Sequence, residues 1–386
     1  MTLPRRPARL PLPAWWIMGL LAVKLIWALG YSYFFFHVHP ASSDTWGDFD
    51  QSRQLAQLID TPEDFFSLAL PIHGQWADLL HYAFWNNLKE NLYILLVLGM
   101  NLVTFQNPYA DTVLYALLTF TGWVRFIRLL TALYPGRAPG WYCVPFLLPT
   151  FLFCCSGLNA DGLVFALLGW ISWDAYRLFV TRQKVSLVRF VLLCFHLACF
   201  KAYLFAFLLT MMVSWWLVYR RGLRPVYGWA CLGGLGLVLF ALTIPEQVSR
   251  QHLYLQLNYN AFLPVAPLEA TSSGYLSRLP LAVWTGLFRP APWETVYARY
   301  LFSGLEVWGL WLLWLYGLFR RVHRPFFQDT WLLTVLALWL LIGYTIPIMS
   351  AIVRYRALSY PIILAFCLLP LLRPRVPQKP FSQKAL

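Results

Sequence analysis

The feature that most constrains this chain is a succession of apolar runs near membrane-crossing length, every second one ending in a knot of arginine or lysine. A helix needs about 20 apolar residues to cross ~30 Å of hydrocarbon. A soluble body cannot hide so many such runs, because its surface needs charge. Here only 12% of residues are charged and 60% are hydrophobic, against roughly 25% charged in soluble domains. The pattern predicts an all-α, polytopic transmembrane bundle forming a single membrane domain.

Charge placement sets the expected topology. Arg5, Arg6 and Arg9 precede the run at 14–36, which exceeds the ~7–15 residues of a cleavable signal core and is therefore a retained first helix. Runs at 110–132, 141–157, 162–180, 187–200, 203–219, 227–244, 301–319, 332–346 and 358–372 follow, with Pro245 expected to break the seventh of the ten. Basic clusters close alternate ends: Arg125, Arg128 and Arg137; Arg177, Arg182, Lys184 and Arg189; Arg220, Arg221 and Arg224; Arg320, Arg321 and Arg324; and a tail with Arg373, Arg375, Lys379 and Lys384. Cytoplasmic sides carry such residues by preference, so about ten spans with both termini in the cytoplasm are expected. The same distribution removes a nucleic-acid reading of the +14 net charge, since the cations form no face or tail. Two long polar segments fall outside, 37–108 and 246–300. The apolar stretch 93–106 is short enough to be interfacial or re-entrant. All seven cysteines sit in apolar runs with no CxxC spacing, which suits packing residues, not a disulfide framework.

Several residues stand out against this background. Residues 42–50 read SSDTWGDFD and place Asp44, Asp48 and Asp50 just past the first helix. Asp161 follows one apolar run and precedes another, in the turn Ser156-Gly157-Leu158-Asn159-Ala160-Asp161-Gly162. Lys201 separates two apolar runs, and Arg354 and Arg356 face outward against the positive-inside trend. Arg289 and Glu294 lie in a Phe288-Arg289-Pro290 to Trp293-Glu294 segment and either pair with each other or serve a site. His37 and His39 point to opposite faces if extended and fix no third ligand, so no metal site and no cofactor are expected.

With the long acid-bearing first outer segment, the Leu148-Pro149 run leading to the Asp161 turn, the Phe288–Glu294 segment and Arg354-Tyr355-Arg356, the chain resembles the GT-C glycosyltransferases. It is most similar to bacterial members tied to surface polysaccharide synthesis. The resemblance implies transfer of a sugar from a polyprenyl-phosphate-linked donor to a lipid-linked or polysaccharide acceptor. The reaction would be inverting and metal-independent, on the outer face of the bacterial inner membrane. Such chemistry needs a base for the acceptor hydroxyl and cations for the leaving phosphate. Asp44 is the first candidate for the base, with Asp48 second and Asp161 a further catalytic acid. Lys201, Arg289, Arg354 and Arg356 are candidates to hold the lipid phosphate. Asp50 reads as the cap of a helix beginning near Gln51. Partners are then the lipid-linked donor, a glycan or glycolipid acceptor and membrane lipid, with no nucleic acid. The alternatives are a repeat-unit polymerase and, from another class, a glycolipid flippase or transporter.

Overall fold

The computed structural model describes residues 12–38, 44–57, 82–258, 263, 267–294, 298–320 and 325–372; the side chains of 44, 82–90, 235–247, 251, 256, 258, 298 and 299 lie outside that description. The acids Asp60, Glu63, Asp64 and Asp78, residue His39 and both basic termini also fall outside it. Among the described residues every regular element is helical.

The helices are α1 (Ala14–Tyr33), α2 (Asp44–Ala56), α3 (Tyr82–Thr104), α4 (Pro108–Leu133), α5 (Pro149–Ser156), α6 (Ala160–Ala175) and α7 (Leu187–Phe200). After them come α8 (Ala202–Trp215), α9 (Pro225–Asn258), α10 (Ser272–Val283), α11 (Ala298–Phe319), α12 (Phe326–Thr345), α13 (Met349–Ala357) and α14 (Tyr360–Leu371). Short π turns extend four of them, at Phe34–Val38, Tyr176–Val180, Trp216–Arg220 and Trp284–Phe288.

Among the described residues six helices are long and apolar enough to cross a membrane: Ala14–Val38, Pro108–Leu133, Ala160–Val180, Ala202–Arg220, Tyr300–Phe319 and Phe326–Thr345. The pair α13 and α14, bent by 51°, makes a seventh if counted as one span. Of the ten runs, those at 141–157 and 187–200 form no helix of that length, and other bounds shift, for local reasons. The run at 141–157 contains Pro145 and Pro149, and Pro139 stands just before it. Each proline lacks the N–H that would continue a helix, so the run becomes 3-10 turns at Pro139–Tyr142 and Val144–Leu147 followed by the eight-residue α5. Helix α7 has only 14 residues, about 21 Å at 1.5 Å per residue. The run at 227–244 lies within α9, which continues through Pro245 instead of ending there. The stretch at 93–106 belongs to the longer α3, whose apolar part Asn91–Thr104 is short of a crossing. Helix α2 begins at Asp44, so Asp50 is a mid-helix residue accepting from Gln54 Nε2 at 2.8 Å, not a cap.

Two close crossings tie the bundle. A Cβ at Gly122 would overlap the Ala166 backbone, and one at Gly169 would overlap the Gly122 carbonyl, so α4 and α6 meet backbone to backbone. Gly286 meets Trp339 and Gly343 meets Ala282 in the same way, packing α10 and its π turn on α12. Around the first crossing Trp123, Phe126, Phe146, Phe151 and Phe165 form a buried aromatic core. The bundle has two unlike ends. One carries Arg189 paired with Asp174 at 2.7 Å, Arg182 donating to the Tyr219 carbonyl at 2.8 Å and Arg137 donating to the Leu369 carbonyl at 3.2 Å. The other carries α2, Asp161, Lys201 and Arg354.

Candidate functional site

Asp161 sits in the first turn of α6, where the Asn159 side chain caps the helix by accepting from the Asp161 N–H at 2.9 Å. The Tyr115 hydroxyl secures the same turn, donating to the Asn159 carbonyl and accepting from the Leu163 N–H at 2.9 Å. The Asp161 carboxylate is fully buried. A carboxylate in that position needs a cation or a watery cavity, and it has two cations. Arg354 Nε from α13 bonds Oδ2, and Lys201 Nζ lies 3.6 Å from Oδ1.

Lys201 occupies the single-residue break between α7 and α8, with φ −148° and ψ 77°, outside any helix. That break turns the ammonium inward, where it stacks 4.3 Å over the Tyr355 ring and is flanked by Tyr203. The Arg354 side chain is 34% exposed and that of Lys201 14%. Two cations thus converge on one buried carboxylate, and guanidinium and ammonium are the groups that hold phosphate oxygens.

The depth of the cluster follows from α1. Tyr31 packs against Gly157 and lies tilted against Phe153 with ring centroids 5.0 Å apart, so the Asp161 turn is level with it. Tyr31 lies about 26 Å along the axis from Ala14, and the helix runs on roughly 10 Å further to Val38. The charges are therefore sunk inside the bundle, not spread on its end. Helix α2 roofs this region. The Tyr31 hydroxyl is 3.1 Å from Thr45 Oγ1, and Asp48 and Arg354 are both electrostatic neighbours of buried Tyr93. Asp44 opens α2, and its side chain lies outside the described residues.

The structure thus brings together Asp161, Lys201 and Arg354, with Asp48 close by, and places Arg289 and Arg356 elsewhere. Arg289 pairs with Glu294 at 3.2 Å, and Glu294 also accepts from Trp284 Nε1 at 3.2 Å. Arg356 is fully buried, donates to the Gly286 carbonyl at 2.9 Å and to that of Arg289, and lies 5.3 Å over Trp339. Two residues apart on α13, Arg354 and Arg356 point to opposite sides. One side meets Asp161 and the other fastens the 284–294 segment.

Lys24, Glu306, Tyr31, Tyr93 and Tyr115 escaped sequence reasoning. Lys24 and Glu306 are lone charges within apolar runs, a signal that was present; nothing in the sequence marks the tyrosines among so many aromatics. Among the described residues no group of three His, Cys, Asp or Glu could hold a metal, and His37 Nε2 bonds the Tyr109 hydroxyl at 2.7 Å. Below the cluster lies a small apolar cavity of about 30 Å³, walled by Leu204, Leu208 and Met211 on one side and Trp331, Val335 and Leu338 on the other. Its upper end reaches Leu204 and Leu358, within four residues of Lys201 and Arg354.

The class these observations define is a helical membrane protein, with six or seven helices of membrane-crossing length and no strand among the described residues. Compared with family models, characterised proteins and solved structures, the chain matches none.

Proposed function

We propose that the protein is a GT-C-like membrane glycosyltransferase, moving a sugar from a polyprenyl-phosphate-linked donor to a lipid-linked or polysaccharide acceptor on the outer face of a bacterial inner membrane. The observation that carries this reading is the convergence of Arg354 and Lys201 on buried Asp161 beneath the acidic helix α2. Asp161, engaged by both cations, orients them and does not itself take a proton. Arg354 and Lys201 hold the donor phosphate. The base is Asp48 or Asp44 on α2. It removes the proton of the acceptor hydroxyl as that oxygen attacks the anomeric carbon. The bond from that carbon to the phosphate oxygen breaks, with inversion, and polyprenyl phosphate leaves as the anion held by the cations.

The test is transfer in vesicles containing the purified chain and an undecaprenyl-phosphate-linked sugar. Asp48→Asn and Arg354→Gln should each lower the rate per folded protein by about a hundredfold or more. Full activity in both would remove these assignments. One observation favours a flippase as the second reading: α5 is a half-length helix, and α13 and α14 are bent by 51° beside the charges, and discontinuous helices at buried charge are common in transporters. Translocation of a fluorescent lipid-linked glycan without product formation would favour that reading over transfer.

A further inference from the structure

Helix α5 is only eight residues long, about 12 Å, and both of its ends lie among the spans, where no bulk water satisfies backbone groups. At the N-terminus Leu148 supplies no side-chain cap and Pro149 has no N–H. The first free N–H, that of Thr150, donates to both carboxylate oxygens of Glu306, at 3.1 and 3.3 Å. At the C-terminus the Cys154 carbonyl accepts from Asn159 Nδ2 at 2.7 Å, and that of Cys155 accepts from Lys24 Nζ at 2.9 Å. Lys24 is fully buried and lies 4.3 Å over the Trp123 ring, so it has not snorkelled to a surface. A carboxylate at the N-terminus and an ammonium at the C-terminus both complement the helix dipole. The charges come from different spans, α11 and α1. From Cys155 the chain turns through Gly157 to Asn159, the residue that caps the helix bearing Asp161.

We infer that Lys24 and Glu306 are positioning residues, clamping the two ends of the membrane-embedded helix α5 and thereby fixing the turn that presents Asp161 to Arg354 and Lys201. Its consequence for catalysis rests on the transferase reading; the clamp itself does not.

The test uses the full chain in nanodiscs, labelled with N-ethylmaleimide and resolved by peptide mass spectrometry. Cys155, fully buried at the end of α5, reports on the clamp, and Cys367 on α14, 1% exposed, reports on the bundle. Lys24→Met should raise Cys155 labelling about tenfold while Cys367 stays protected. Glu306→Ala should do the same, whereas Glu306→Gln, which keeps an acceptor for the Thr150 N–H, should stay within about twofold of the unsubstituted protein. With an undecaprenyl-phosphate-linked hexose, Lys24→Met should lower kcat about a hundredfold with KM unchanged. Protection of Cys155 in both Lys24→Met and Glu306→Ala overturns the clamp. Should Lys24→Met also expose Cys367, the Glu306 pair decides: equal Cys155 labelling in the Ala and Gln variants overturns it. Absence of transfer by the unsubstituted protein overturns the transferase reading alone, because labelling does not depend on turnover.

Discussion

Asp161 shows how one residue can be half legible. The sequence gives away that a carboxylate lies between two apolar runs, which makes it expensive and hence informative. It does not give away that Arg354 and Lys201, remote along the chain, both reach it. Removing one partner tests that contact. Arg354→Gln leaves the buried carboxylate with Lys201 alone and should lower the unfolding free energy by about 3 kcal/mol. Asp161→Asn in the same background should recover most of the loss, a coupling of about 2 kcal/mol in a double-mutant cycle; additive effects would mean that the pair does not form. His252 supplies a pH dependence of its own. It lies beyond Pro245 on α9 at 3% exposure, where burial and the nearby Arg278 push its imidazole down to about 4. The imidazole of an unfolded chain titrates near 6.5. Between the two values the unfolded state holds a proton that the folded state refuses, so stability falls as pH drops from about 6.5 towards 4. Thermal unfolding in detergent should show a smaller loss between neutral and acid pH for His252→Leu than for the unsubstituted protein; an equal loss would assign the acid sensitivity to other groups.

At the scale of elements, hydropathy exposes the long spans, because Pro108–Leu133 and Phe326–Thr345 are continuous apolar runs with nothing to interrupt them. It misleads wherever an apolar run is not one helix. The prolines from Pro139 to Pro149 turn one expected crossing into 3-10 turns and the half-length α5, yet the residues between them are as apolar as any span. Apolar character reports where lipid or core is, and the backbone N–H groups report whether a helix can continue. The converse holds for α2, whose acids suggest a loop although residues from Asp44 onward wind into a helix. Close crossings are also invisible in hydropathy, since a glycine looks the same on either face. Gly122→Leu should drive α4 from α6 and lower stability by about 3 kcal/mol, the upper range for overpacking, because the obstacle is backbone. Gly99→Ala, where a Cβ meets nothing within 4 Å, should instead stabilise by roughly 0.5 kcal/mol. Comparing the two melting temperatures in one detergent checks the crossing, and equal shifts would refute it.

For the whole molecule, the arrangement of charge carries more than its sum. Arg125, Arg177, Arg182, Arg189 and Arg220 gather at one end of the bundle, while Asp48, Asp161, Lys201 and Arg354 gather towards the other. The positive-inside rule leads us to propose that the first end faces the cytoplasm, and on that topology the candidate site lies in the leaflet away from nucleotide-sugar pools. For the proposed transferase, a donor reaching that leaflet would have to arrive already attached to a lipid, so the proposed orientation and substrate class stand or fall together. Lys184, exposed between α6 and α7, and Gln106, exposed between α3 and α4, lie at opposite ends of the bundle. With a membrane-impermeant maleimide, Gln106→Cys should react in cells whose outer barrier is opened but whose inner membrane is intact. Lys184→Cys should react only after the inner membrane is permeabilised. Six of the seven native cysteines are buried and Cys231 is half-buried, so both substitutions are made in a Cys231→Ser background. The reverse pattern would turn the Asp161 cluster towards the cytoplasm, where soluble sugar nucleotides are available. A lipid-linked donor would then no longer be required by position, and the proposed reaction would lose its physical motive.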